Sequence, residues 1–107
     1  MMDSKDHITQ QIEQISRLLP QLFKQLENRK IAQARQTVED CLNVLQLDQE
    51  KIRARDPEEI IAAIADHRLL VQLADLLDVS VRLSPDEHAL QLRRAVTAHL
   101  DREMVSQ

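Results

Sequence analysis

The sequence predicts an all-α fold, and three observations carry this prediction. None of the 107 residues is Gly, the residue that supplies positive φ in tight hairpins. The commonest residues, among them Leu, Ala, Gln, Glu and Arg, are good helix formers. Large aliphatic residues also recur at alternating spacings of four and three between Ile8 and Leu26, which places them on one stripe of a helix.

The first helix is predicted to begin at Asp3 or Ser4, because either side chain can cap free amides at a helix N-terminus. Pro20 falls inside the stripe. Because Pro has no amide hydrogen, the helical hydrogen bond to the Ser16 carbonyl is lost, which costs about 3 kcal/mol unless the helix bends or breaks. The apolar spacing continues through Leu26. We therefore expect one helix kinked at Pro20 in preference to two separate helices.

The rest of the chain predicts shorter helices with strong start signals. Asp56 and Ser84 are each followed directly by Pro and have Glu as the third residue after them, so both are predicted caps with Pro as the first helical residue. Asp66 is a further predicted start. The later helices are expected at residues 29–45, 57–65, 66–81 and 85–104, with one or two helical turns within 49–55. The fold is thus about five helices, packed as antiparallel hairpins in a compact bundle.

Length and composition predict one domain, residues 1–107, with an aliphatic core that needs neither metal nor disulfide. The single cysteine, Cys41, cannot form an internal disulfide and lies on an apolar helix face, so a buried thiol is expected. The N-terminal segment has no apolar signal core, and no apolar run approaches the roughly 20 residues of a membrane span. A cytoplasmic protein without a membrane segment is expected.

The motifs of catalysis and cofactor binding are absent from the sequence. Because the sequence has no Gly, it contains neither a Walker-type phosphate-binding loop nor a Rossmann dinucleotide-binding motif. The nearest candidate for a metal site is His99 with Glu103, one helical turn apart, and a surface pair is the favoured interpretation. We expect a protein that is not an enzyme, with no cofactor, metal or small-molecule ligand. An enzyme would need a pocket that unites at least two of His67, His88 and His99.

A DNA-binding interpretation is the alternative function. The segment Leu73–Ser80 is similar to the first helix and turn of a helix-turn-helix repressor, with Asp78 where such turns usually hold Gly. The predicted recognition helix begins with Asp86 and Glu87, which would face phosphates, and the net charge of −4 also disfavours nucleic acid. The alternative is therefore a transcriptional regulator that uses residues 66–104.

Two basic patches are predicted near helix joints, and a solvated surface is the default interpretation for both. Either patch would also suit an acidic partner protein. One patch surrounds the first joint and the other lies within the short segment: Lys24, Arg29, Lys30 and Arg35; and Lys51, Arg53 and Arg55.

Four short segments resemble an uncharacterised family of small bacterial helical proteins whose later helices look like tetratricopeptide-type hairpins. These segments are Ile8–Gln14, Leu45–Asp48, Leu73–Leu77 and Arg94–Ala95. The resemblance covers most of the chain and implies tetratricopeptide-like packing in the C-terminal part. It also implies a scaffold that binds other proteins, and it carries no catalytic residue.

The expected function is therefore a non-catalytic helical interaction or structural module, bound to a protein partner or to a second copy of itself. The stripe of the first helix is the candidate interface of such a homodimer. A bend at Pro20 would direct residues 8–19 toward a partner and residues 22–26 toward the core. The candidate interface residues are Ile8, Ile12, Ile15, Leu19, Leu22 and Leu26.

Overall fold

A computed structural model of the protein describes the backbone of residues 4–105 and the side chains of residues 7–103. All regular structure in this range is α-helical, which confirms the predicted fold class. The helices are α1 (Ser4–Glu27), α2 (Ile31–Val44), α3 (Gln49–Ala54), α4 (Pro57–Ile64), α5 (His67–Leu83) and α6 (Glu87–Val105). The described range thus holds six helices where about five were predicted, because the turns expected within 49–55 form a helix of their own.

An Asp side chain caps the N-terminus of each of the helices α3, α4, α5 and α6. Oδ1 of Asp48 accepts a hydrogen bond from the Lys51 amide at 2.7 Å, which caps α3. The caps predicted at Asp56 and Asp66 are confirmed. The predicted cap at Ser84 is wrong, because α6 begins after Asp86, whose Oδ1 accepts from the His88 amide at 3.1 Å.

The first helix, α1, runs without interruption through Pro20, so the choice of one helix over two is confirmed. Pro20 is exposed, which leaves the carbonyl it orphans on the outer part of the helix within reach of water. The predicted start at Asp3 lies outside the described residues. The expected bend at Pro20 stays a prediction.

The helix α5 lies at the centre of the packing and contacts α1, α2, α4 and α6. The most extensive contacts join consecutive helices, α1 with α2 and α5 with α6, while the short α3 and α4 pack against α6. One apolar cluster draws residues from all six helices. The radius of gyration is 13.7 Å, close to the roughly 13 Å expected of a compact chain of this length. None of the described helices has both the length and the hydropathy that crossing a membrane requires.

Three joints place a residue other than Gly in the left-handed region. Arg29, Gln46 and Ala65 have φ of 57°, 60° and 58°, and they follow α1, α2 and α4. Helices commonly end in this conformation, where Gly has the lowest steric cost. At the joint after α2, the Leu47 amide donates a hydrogen bond to the Leu42 carbonyl at 2.8 Å, and this bond offsets the steric cost of the left-handed residue. The chain therefore ends these helices in the usual geometry without the usual residue.

The substitution Ala65→Gly is expected to raise the free energy of unfolding by about 0.5–1 kcal/mol, since Gly removes left-handed strain of roughly 1–2 kcal/mol and adds some unfolded-state entropy. Urea unfolding measures the change. The matched control is Ala62→Gly at an exposed position inside α4, where Gly should instead lower stability by about 1 kcal/mol. Equal losses in both variants would contradict the assigned conformation of Ala65.

Candidate functional site

The predicted interface stripe of α1 is divided between the core and the surface. Ile15 and Leu22 are fully buried within the single chain. The other four residues are half-buried and pack against the core cluster: Ile8, Ile12, Leu19 and Leu26. Any partner that meets this stripe would therefore contact these four, and the proposed interface stays a prediction.

A groove of about 580 Å³ lies where the N-terminal part of α1 meets the α2–α3 joint, α4 and the start of α5. Ile8, at the beginning of the stripe, forms part of its wall. The apolar lining is entirely aliphatic and comprises Ile8, Leu45, Leu47, Ile60, Ala63, Ile64 and Leu69. Its volume falls within the roughly 300–1,000 Å³ of ligand pockets.

The polar lining of the groove is basic or uncharged. His7, Lys51 and Arg55 line it together with Gln11 and Gln46, and no acidic side chain of the described residues does. Nζ of Lys51 donates to the Gln46 carbonyl at 3.2 Å, which fixes the ammonium beside the left-handed joint. The guanidinium of Arg55 makes no hydrogen bond or ion pair to another residue between 7 and 103. The groove therefore offers at least one unengaged cation beside an aliphatic surface.

Three large apolar side chains are exposed elsewhere. Phe23, the single aromatic residue of the sequence, is 46% exposed, and Ile31 and Val71 are 42% and 40% exposed. Phe23 belongs to the last two turns of α1, and Ile31 is the first residue of α2. An exposed Leu or Ile is common in soluble proteins. An aromatic residue outside the core is instead typical of a surface that contacts another protein.

Two of the four histidines meet on one carboxylate. Nδ1 of His67 lies 2.5 Å from Oε2 of Glu103, and Nε2 of His99 lies 2.9 Å from Oε1. The pair of His99 with Glu103 was predicted from its spacing, but the contact with His67, 36 residues away, was not. The cluster joins the start of α5 to the end of α6. Within residues 7–103 no group of three ligating side chains is arranged to hold a metal ion.

The histidine cluster shifts the titration of Glu103. The hydrogen bond with His67 is the main cause that lowers the pKa of this carboxyl, and the nearby His99 adds to it. His88 lies apart from the cluster, beside the N-terminal cap of α6. His7 is the histidine of the groove.

The residues of the DNA-binding alternative carry internal ion pairs. The carboxylate of Asp78 lies 3.3 Å from Nη2 of Arg82 and 3.4 Å from Nη1 of Arg93. Arg93, which with Arg94 would supply positive charge to the predicted recognition helix, is therefore partly neutralised by α5. Burial and the neighbouring Asp78 raise the pKa of Asp75 on the same helix. These contacts do not support the DNA-binding alternative, which stays a prediction.

The thiol of Cys41 is fully buried, as its apolar position predicted. Burial, with a smaller contribution from Asp40, raises its pKa to about 11. Because the thiolate is the nucleophilic form, this cysteine is inert near neutral pH.

The variant Glu103→Gln is expected to unfold at lower urea concentration than the wild type at pH 6. A carboxylate with a lowered pKa stabilises the folded state above its ordinary value of 4.5, and this contribution is lost as the pH falls through the folded-state pKa. The difference between the two midpoints should therefore shrink below pH 4.5. The control is Asp101→Asn, an exposed carboxylate two residues away. A difference that is independent of pH would contradict the assignment.

Comparison of the chain with family models, with curated protein sequences and with solved structures found no match. What the protein binds must therefore be inferred from its own side chains. The groove beside α3 and α4 offers the combination of aliphatic surface and positive charge that bears most directly on a partner.

Proposed function

We propose that the protein is a non-catalytic helical interaction module whose groove takes an acidic amphipathic helix of a partner protein. The observation that supports this is the composition of the groove. Among residues 7–103 its lining combines seven aliphatic residues with His7, Lys51 and Arg55 and includes no carboxylate, although the whole chain has a net charge of −4.

An amphipathic helix binds a groove by inserting apolar side chains spaced three and four residues apart, while its polar residues contact the rim. The aliphatic lining suits such side chains. Arg55 at the rim suits a carboxylate, because its guanidinium can donate two parallel hydrogen bonds to one acidic group. Lys51 adds a second positive charge on the same rim.

Self-association through α1 is the second part of the proposal. The half-buried residues of the stripe and the exposed Phe23 lie along one long helix, so a second copy could cover them together. A bend at Pro20 would support this arrangement by separating the partner-facing part from the core-facing part. Tetratricopeptide-like packing of the later helices and a cytoplasmic location belong to the same proposal.

The groove is tested with a 15-residue amphipathic peptide that carries Leu anchors and Glu flanks, compared with the same peptide carrying Lys flanks. Titration calorimetry should show tighter binding of the acidic peptide. The double variant Lys51→Glu with Arg55→Glu should weaken it about tenfold or more, since hydrogen bonds to charged groups contribute roughly 1.5–3 kcal/mol each. Arg82→Glu on α5 is the matched control. Equal binding of the two peptides, or none at millimolar concentration, would contradict the proposal.

Self-association is tested by light scattering at micromolar concentration. We expect the mass to rise above 12.4 kDa as the concentration increases. Phe23→Glu should restore the monomer mass without unfolding, because the side chain is exposed, whereas Val71→Glu serves as a control with similar exposure. Substitution of Leu22 could not separate assembly from folding, since that residue is fully buried. A mass of 12.4 kDa at every concentration would remove this part of the proposal.

A further inference from the structure

A second cavity, of about 180 Å³, lies between α2, α3 and the joint of α5 with α6. No residue between 7 and 103 lines both this cavity and the groove. Its lining is mostly polar and comprises Arg35, Val38, Glu39, Gln49, Arg53, Ser80, Leu83, Ser84 and Asp86.

Two opposite charges on the wall of this cavity do not pair with each other. Arg35 and Glu39 are four residues apart on α2, a spacing at which an ion pair commonly forms. Instead, Nη2 of Arg35 donates to the Leu83 carbonyl at 3.3 Å, and Oε1 of Glu39 accepts from Gln49 at 3.2 Å. Both groups are held by uncharged partners, and neither has an ionic partner between residues 7 and 103.

The hydroxyl of Ser80 is a third unused group. The residue is 7% exposed, and its Oγ, which makes no hydrogen bond to a described residue, keeps contact with solvent. Since Ser80 lines the cavity, its hydroxyl can form a hydrogen bond with a polar atom of a molecule bound there.

The other two charges of the cavity are already engaged. Nε of Arg53 lies 3.3 Å from Oδ2 of Asp86, whose Oδ1 caps α6 through the His88 amide. The His88 amide, followed by Arg53, lowers the pKa of Asp86, which keeps this carboxylate ionised. What remains for a ligand is one cation, one anion and one hydroxyl.

We infer that this cavity binds a small zwitterion of the α-amino acid class. The ligand carboxylate faces Arg35, its ammonium faces Glu39, and Ser80 bonds to one of its polar atoms. A cavity of 150 Å³ holds a benzene molecule, so about 180 Å³ suits a ligand of roughly six to eight non-hydrogen atoms. Val38 and Leu83 leave apolar surface for a short side chain. A carboxylate or an amine alone would leave one protein charge without a partner.

The test is a titration of the full-length, ¹⁵N-labelled protein with L-alanine, followed by amide chemical shifts. We expect saturable shifts centred on residues 35–39 and 80–84, with half-saturation in the millimolar range. Propionate and ethylamine, which each carry one of the two charges, should bind at least tenfold more weakly, because each loses one charge-assisted interaction.

Variants then identify the two charged groups. Arg35→Gln and Glu39→Gln should each weaken L-alanine binding tenfold or more, and Glu39→Gln does so without changing the size of the side chain. Ser80→Ala should weaken it less. Arg82→Gln, an exposed arginine of α5 that does not line the cavity, is the matched control and should bind as the wild type does. Urea unfolding verifies that each variant is folded.

Three results would overturn the inference. They are no saturable shift at 50 mM L-alanine, equal binding of propionate and L-alanine, and unchanged affinity in the folded Glu39→Gln variant. The comparison of the three ligands needs only the wild type, so it decides the question even where a variant unfolds. Because the groove and the cavity share no residue, peptide binding at the groove can fail while amino acid binding persists, and the reverse.

Discussion

The structure depends on the burial of one helix, α5. Its inward leucines are among the least exposed residues of the chain, and burying each one contributes about 1.5–3 kcal/mol relative to exposure. Because α5 contacts four other helices, both hairpins and α4 are positioned by the same side chains. Two hydrogen bonds also join α5 to α1. Nε2 of Gln72 donates to the Ile12 carbonyl at 3.2 Å and to Oγ of Ser16 at 3.1 Å. The fully buried leucines of α5 are Leu70, Leu73, Leu76 and Leu77.

Directional contacts supplement a core that is almost purely aliphatic. Aliphatic side chains tolerate several packings, so they specify the axial position of a helix weakly. Hydrogen bonds between helices add that specification here. The buried Thr37 donates to Oε1 of Gln25 at 2.7 Å, and Nε2 of Gln11 donates to the Val44 carbonyl at 2.9 Å, so that α1 and α2 are joined at two separate levels. This fixed hairpin carries one wall of the groove and one wall of the cavity.

The short helix α3 connects the two proposed sites. Lys51 and Arg55 line the groove, whereas Gln49 and Arg53 line the cavity. Each pair is four residues apart, so a single helix of six residues, with its C-terminal cap Arg55, presents one pair to each site. The basic patch that looks continuous in sequence is therefore divided between two surfaces with different chemistry. One is aliphatic and positive, and the other is polar with both charges.

The sequence by itself determined the fold class, the helix starts at Asp56 and Asp66, and the buried position of Cys41. These features depend on local spacing and capping, which act within a few residues. Only the tertiary structure decided the contact of His67 with Glu103, the division of the basic patch by α3, and the partial burial of the α1 stripe. The cap of α6 also belongs here, since Asp86 both caps the helix and pairs with Arg53, 33 residues earlier. Such contacts depend on distances between helices, which the period of one helix does not encode.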